Sequence, residues 1–223
     1  MRCIYCLTAA AILFMGLADN ASAHRYIPNR GVHTEAATAI PIGDIDVSQV
    51  VYHRATDETP SIWLSFDADA GTVAKIQMGV PYIAELEGYR PAFALLGSDM
   101  PALNGMAFPL PKGYGGILYT TDDIETPAVF DEVFTGTESW IFEMQSIELP
   151  KDGKYYIVGF VPSGEKGKFW AAPGVAEKFG VRDILTLPWV IYKVRTFHEV
   201  FPFGGLLAWG MLITTTLAGL LLF

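Results

Sequence analysis

Short apolar runs govern the middle of this chain. Between residues 43 and 174 they are broken roughly every eight to fifteen residues by Gly, Pro or Asp, the punctuation of turns. The runs at 49–53, 61–66, 72–78, 92–96, 116–119, 129–134, 140–149, 155–161 and 168–172 favour β structure. In 72–78, Val73, Lys75 and Gln77 alternate with Ala74, Ile76 and Met78, the period of a half-buried strand. No helical period of useful length interrupts them. The pattern predicts a mainly β domain over 24–174, an antiparallel β-sandwich or barrel. Within it, 140–172 reads as a three-strand meander, with turns at Pro150-Lys151-Asp152-Gly153 and at 162–167.

The pattern changes after residue 174. In 183–187 and 189–198, charges fall between apolar positions, which predicts two short amphipathic helices meeting at Pro188. This 175–200 segment either packs on the sandwich or lies in a membrane interface, with Trp189, Tyr192 and Phe197 at headgroup level. The following stretch, 201–223, holds no Asp, Glu, Lys, Arg or His. As a helix it would be about 34 Å long, enough to cross a hydrocarbon layer of about 30 Å once.

The other end reads as an address. Arg2, an apolar run over 7–18 and the small-x-small Ala21-Ser22-Ala23 form a secretory signal peptide over 1–23. Cleavage after Ala23 would make His24 the first mature residue. Cys3 and Cys6 are the two cysteines of the sequence, and both fall in the leader, so neither a disulfide nor a thiol nucleophile is expected in the mature domain. Counting Lys193 and Arg195 as cytoplasmic flanks opposes this topology, but the leader governs export of a long domain. The expectation is a single-pass protein of the cell (inner) membrane, held in the bilayer by 201–223, with its domain on the periplasmic or extracellular side.

The run 140–172 also carries a resemblance. A strand, Leu149-Pro150-Lys151-Asp152-Gly153, then Tyr155-Tyr156-Ile157-Val158, a turn and Gly167-Lys168-Phe169 is similar to bacterial pre-peptidase C-terminal domains. The stretch 90–97, RPAFALLG, is similar to an earlier strand of the same secreted jelly rolls. The resemblance covers roughly 61–174. It implies a non-catalytic antiparallel β-sandwich of jelly-roll-like form and carries over no catalytic residue.

Charge narrows the partners. Of the 223 residues, 24 are Asp or Glu and 15 are Lys or Arg, a formal net charge of −9. Nucleic acid is therefore not an expected ligand. No G-x-S-x-G or H-E-x-x-H motif is present, which leaves hydrolytic catalysis without support.

Two metals remain as candidates. A mature N-terminal His24 would offer an α-amine and an imidazole to copper, with His33 and His53 as further nitrogen donors. Asp67 and Asp69, ahead of Gly71, are the best-placed pair of oxygen ligands for calcium, with Asp44, Asp46, Asp122, Asp123 and Glu125 as looser groups. None of these has EF-hand spacing. The apolar loop 97–116, with Met100, Leu103, Met106, Phe108 and Leu110, is either a contact surface or a cover for the sandwich. The sequence therefore points to an anchored, non-catalytic binding or assembly module for a membrane or periplasmic protein or a small ligand. The alternative is a copper-binding or copper-delivery protein.

Overall fold

A computed structural model of the chain describes residues 24–204 and Gly210. The leader over 1–23 and most of the anchor over 201–223 lie outside the described residues. The chain divides into two compact units. One comprises His24–Phe130 with Glu138–Phe179; the other includes Asp131–Thr137 and the segment from Gly180 onward.

The first unit is mainly β, in two sheets. Its strands are β1 (Arg25–Tyr26), β2 (Ile40–Pro41), β3 (Gln49–Ala55), β4 (Ser61–Ala68), β5 (Val73–Pro81) and β6 (Ala92–Ser98). They continue as β7 (Tyr114–Tyr119), β8 (Ala128–Glu132), β9 (Thr137–Ile141), β10 (Gln145–Glu148), β11 (Gly153–Phe160) and β12 (Gly167–Pro173), with the end of β8 and the first residue of β9 belonging to the other unit. One sheet runs β1-β3-β12-β5-β9-β8, with β10 also paired to β5. The other runs β2-β4-β11-β6-β7.

Alternation decides what faces inward. Ile62, Leu64 and Phe66 of β4, Tyr155 and Ile157 of β11, and Phe93 and Leu95 of β6 join Ala74, Ile76, Met78 and Val80 of β5 in one core. Phe169 and Ala171 of β12 also belong to it. Lys75 and Gln77 are only half-buried, as the period of 72–78 predicts. The expected β-sandwich is present.

Four local expectations are corrected. First, the sheets are mixed, because the two-residue strands β1 and β2 pair in parallel with β3 and β4. Both lie in the irregular lead-in, where a short extended piece can dock on an open sheet edge in either direction. Second, 140–149 is two strands. β9 pairs with Gly79–Pro81 and β10 with Val73–Ile76 along the same side of β5. The break between them buries Phe142, whose N–H donates to the Met78 carbonyl at 3.1 Å. Third, 140–172 is not a meander. β11 inserts between β4 and β6, whereas β12 inserts between β3 and β5 in the other sheet. A tight turn reverses the chain without dictating which sheet receives it.

Fourth, α1 (Val181–Phe197) is one helix that runs through Pro188. Proline removes one intrahelical hydrogen bond, a cost of about 3 kcal/mol in a helix interior, and here it bends neither half into a separate element. The helix starts at Gly180, whose N–H donates to Asp183 Oδ2 at 2.8 Å. No helix among the described residues is long and apolar enough to cross a membrane.

The loop 97–116 is a cover. Leu103, Met106, Phe108 and Leu110 pack over Trp63, Ala92, Ala94, Leu96, Val158 and Phe160, the outer face of the five-stranded sheet. The Gly116 N–H donates to the Pro101 carbonyl at 2.8 Å and ties the loop down. A side chain at Gly115 would meet the same carbonyl at 2.2 Å, so this close approach requires glycine. Beneath the loop, Trp63 Nε1 is buried with no hydrogen-bond partner among the described residues.

Candidate functional site

Two places on the sandwich gather polar side chains. The larger is a groove of about 650 Å³ lined by three separate segments. The lead into β3 supplies Asp44 and Asp46, the end of β4 supplies Asp67, the β4–β5 connection supplies Asp69, and the β10–β11 turn supplies Asp152, followed by Lys154. The β4–β11 ladder explains the gathering. It sets Asp67 opposite Lys154 and Ala68 opposite Gly153, which lays the 150–153 turn beside the β4–β5 turn. The Asp152 carboxylate then accepts the Ala70 N–H at 2.7 Å and locks the two turns together.

The five carboxylates have different duties. Asp44 accepts the Asp46 N–H at 3.0 Å and an ion pair from Lys178 at 3.0 Å. The Lys178 bond, aided by the Asp46 N–H, holds its carboxyl below the usual range. Asp152 is occupied by the turn. The side chains of Asp46, Asp67 and Asp69 accept no hydrogen bond among the described residues. They line the groove beside Lys154, and the excess of carboxylates over cations there suits a cationic occupant. Among the described residues, no group of three or more His, Cys, Asp and Glu side chains is arranged to hold a metal ion. Asp67 and Asp69 thus share a groove with three further aspartates but do not form a closed oxygen cage with them.

The second place surrounds His24. Its Nδ1 lies 2.7 Å from Ser48 Oγ, and its ring lies 6.3 Å from that of Trp170. Trp170 is itself held by a bond from Nε1 to Ser139 Oγ at 3.1 Å. Burial lowers the His24 pKa, with the nearby charge of Glu177 acting the other way. Nε2 makes no hydrogen bond among the described residues, so one ring nitrogen is fixed and the other is open. An α-amine chelate closes through Nδ1, so forming it requires exchange of the Ser48 bond.

The other two histidines are engaged elsewhere. His33 places Nδ1 and Nε2 at 2.5 and 2.7 Å from the Thr38 and Arg30 carbonyls. Both of its nitrogens therefore point at acceptors, and neither is open to a metal in this geometry. His53 on β3 is 4% exposed and lies against Phe169, with ring centroids 5.1 Å apart. Its Nε2 donates to the Thr59 carbonyl at 3.0 Å, and Nδ1 faces Asn29 Nδ2 at 3.4 Å. Burial, reinforced by the His33 charge and opposed by the Thr59 bond, lowers the His53 pKa to about 4. It is a neutral, satisfied core histidine.

The sequence sets Asp67 near Asp69 and Asp44 near Asp46, but does not show that both pairs and Asp152 meet. In sequence Asp152 reads as turn chemistry, which it also is. No local signal links it to Asp67, since the link is a ladder register across the intervening chain.

No family model matches the sequence, and no curated protein matches it. Solved structures do resemble the fold. The chain is similar to the pre-peptidase C-terminal domain of a collagenase from Bacillus anthracis, at 12% identity and a TM-score of 0.32, over 65% of this chain and 97% of that one. This is the domain type that the turn and strand motifs of 140–172 resemble. The chain is also similar to CorA, described as a surface-associated copper-binding protein important in copper acquisition by Methylomicrobium album BG8. That match has 12% identity and a TM-score of 0.37, and covers 62% of this chain and 99% of that one. A third similarity is to MopE, a secreted protein of Methylococcus capsulatus described as binding copper with the help of an oxidized tryptophan. It has 12% identity and a TM-score of 0.25, over 54% of this chain and 71% of that one. At these values the likeness carries no site from one protein to another.

Proposed function

We propose that this chain is an exported, membrane-anchored β-sandwich that acts as a non-catalytic binding module, and that the aspartate groove receives a cationic group of its partner. The observation that carries this reading is the convergence of Asp46, Asp67 and Asp69, without hydrogen-bonded partners of their own, on one groove of ligand size. Among the described residues no three acidic side chains converge to cage a metal ion, so calcium at Asp67 and Asp69 would need backbone and water oxygens besides. The ammonium or guanidinium groups of a basic protein segment reach spaced carboxylates better. Calcium at Asp67 and Asp69 is the narrower form of the same reading. The leader read over 1–23 and the anchor read over 201–223 support an exported setting for the domain.

Calorimetric titration with a Lys/Arg-rich peptide, and separately with calcium, tests the reading. Binding of the peptide is expected to weaken as salt rises and to vanish in the combined variant Asp46→Asn, Asp67→Asn, Asp69→Asn. Equal binding by the variant would remove the groove from the account.

A second reading rests on His24, whose Nε2 is open among the described residues and whose Nδ1 would join an amine chelate once the Ser48 bond is exchanged. Copper would then be held by His24 at the mature N-terminus, with His33 or His53 recruited only after their present bonds are exchanged. Copper titration of protein beginning at His24 tests it. An affinity that survives one added residue ahead of His24 would exclude the amine chelate.

A further inference from the structure

The unit containing α1 presents two opposed faces. Successive residues of a helix are turned by about 100°, so Ile191, Val194 and His198 fall on one stripe, and Leu185, Trp189 and Tyr192 on the opposite one. The first stripe is buried. On the second, Leu185 is 76% and Trp189 41% exposed. Beyond the helix, Glu199 takes a left-handed conformation (φ 59°) and turns the chain back. That return sets Phe203 5.5 Å from Tyr192 and Phe201 6.0 Å from Phe203, with Phe201 and Phe203 both exposed.

One guanidinium joins a third segment to these two. Arg195 donates from Nε to the Phe201 carbonyl at 2.7 Å, and from Nη1 to the Thr135 and Gly136 carbonyls at 2.6 and 3.0 Å. The latter belong to the β8–β9 turn, which carries Val133, 76% exposed, and Phe134, 43% exposed. Arg195 therefore gathers three apolar, water-facing segments around itself.

We infer that this surface is a lipid-facing collar, in which Val133 and Phe134 of the β8–β9 turn enter the headgroup region beside Leu185, Trp189, Phe201 and Phe203. The occupant is the bilayer, because the chain passes from Phe203 through Gly204 directly into a stretch without a charged residue. The composition also suits an interface. Aromatic rings sit beside cations whose stems can lie along them, and Lys193 Nζ rests 5.3 Å from the Trp189 ring centre. Asp131, Glu132 and Glu199 in the same segments keep the rim in water and make a neutral lipid the suitable partner. The inference rests on the anchored reading, and adds to it a contact by a turn that the sequence assigned to the sandwich.

Its test uses the full chain with Cys3 and Cys6 replaced by serine, reconstituted in phosphatidylcholine nanodiscs. An environment-sensitive dye is attached at Val133→Cys, Leu185→Cys, Ile213→Cys or Asp57→Cys in turn, and quenched by lipids carrying nitroxide at headgroup or mid-chain depth. Headgroup-depth quenching of at least twofold is expected at 133 and 185, mid-chain quenching at 213, and none at 57. Quenching at 213 while 133 and 185 behave like 57 would overturn the collar and leave the anchor standing. No quenching at 213 would overturn the anchor, and the collar with it.

Discussion

The indole of Trp170 lies across the backbone of Gly79, its partner in the β12–β5 ladder, so closely that a Cβ on Gly79 would fall 2.0 Å from Cζ2. The contact closes the outer face of the seven-stranded sheet, where Trp170 packs with Val50 and Ala172 and holds Ser139 through its Nε1. Gly79→Ala cannot be absorbed by a flexible side-chain tip, because the clash involves the whole fused ring. It is expected to destabilise the fold by about 1–3 kcal/mol, as overpacking of a close-packed site does. Urea unfolding followed by tryptophan fluorescence measures this. An unchanged midpoint would mean that Trp170 has another place to go.

His53 makes stability depend on pH. Its folded pKa of about 4 lies below the ordinary 6.5, because burial disfavours the cation. The unfolded chain therefore binds the proton more readily. The contribution is full above about pH 6.5 and is lost as pH falls towards about 4, amounting to on the order of 3 kcal/mol. His24 shifts in the same direction and adds to the slope. His53→Gln keeps a donor for the Thr59 carbonyl and removes the titration. Melting curves between pH 4 and 7 should be flatter for the variant than for the parent chain, and parallel curves would refute the assignment.

Tyr155 holds the turn that builds the acidic groove. Its hydroxyl donates to the Lys151 carbonyl at 2.6 Å and lies 3.3 Å from the Lys151 N–H, while its ring stacks on Phe66 at 5.6 Å. Tyr155→Phe keeps the stacking and loses both bonds. A loss of about 1–2 kcal/mol is expected, with faster amide exchange confined to 150–153. Exchange that rises evenly over the sandwich would show that the hydroxyl supports the core rather than the turn.

Arg195 is expected to hold the β8–β9 turn in place. Arg195→Lys keeps the charge but cannot reach two carbonyls on one side and a third on the other with a single ammonium. Amide exchange over 133–136 should rise several-fold in this variant while that of β11 stays unchanged. Equal rates in the two proteins would show that the turn is held by its own bonds, including that from Phe134 N–H to Glu132 at 3.2 Å.

What the sequence determined by itself was local. The alternation in 72–78 marked the buried face of β5, and the Pro-x-x-Gly turn at 150–153 marked where the chain reverses. Each depends on backbone and side-chain preferences within a few residues. The tertiary structure alone decided which sheet each strand enters. Ladder hydrogen bonds between distant segments choose among partners that look alike in sequence. That choice turned a seeming meander into strands of two sheets, split 140–149 along β5 and brought Asp152 to Asp67 and Asp69. It also separated the histidines. His24 kept an open nitrogen beside Trp170, while His33 turned both of its nitrogens to carbonyls and His53 was sealed against Phe169, because a buried imidazole must satisfy its polar atoms wherever the ladder places it.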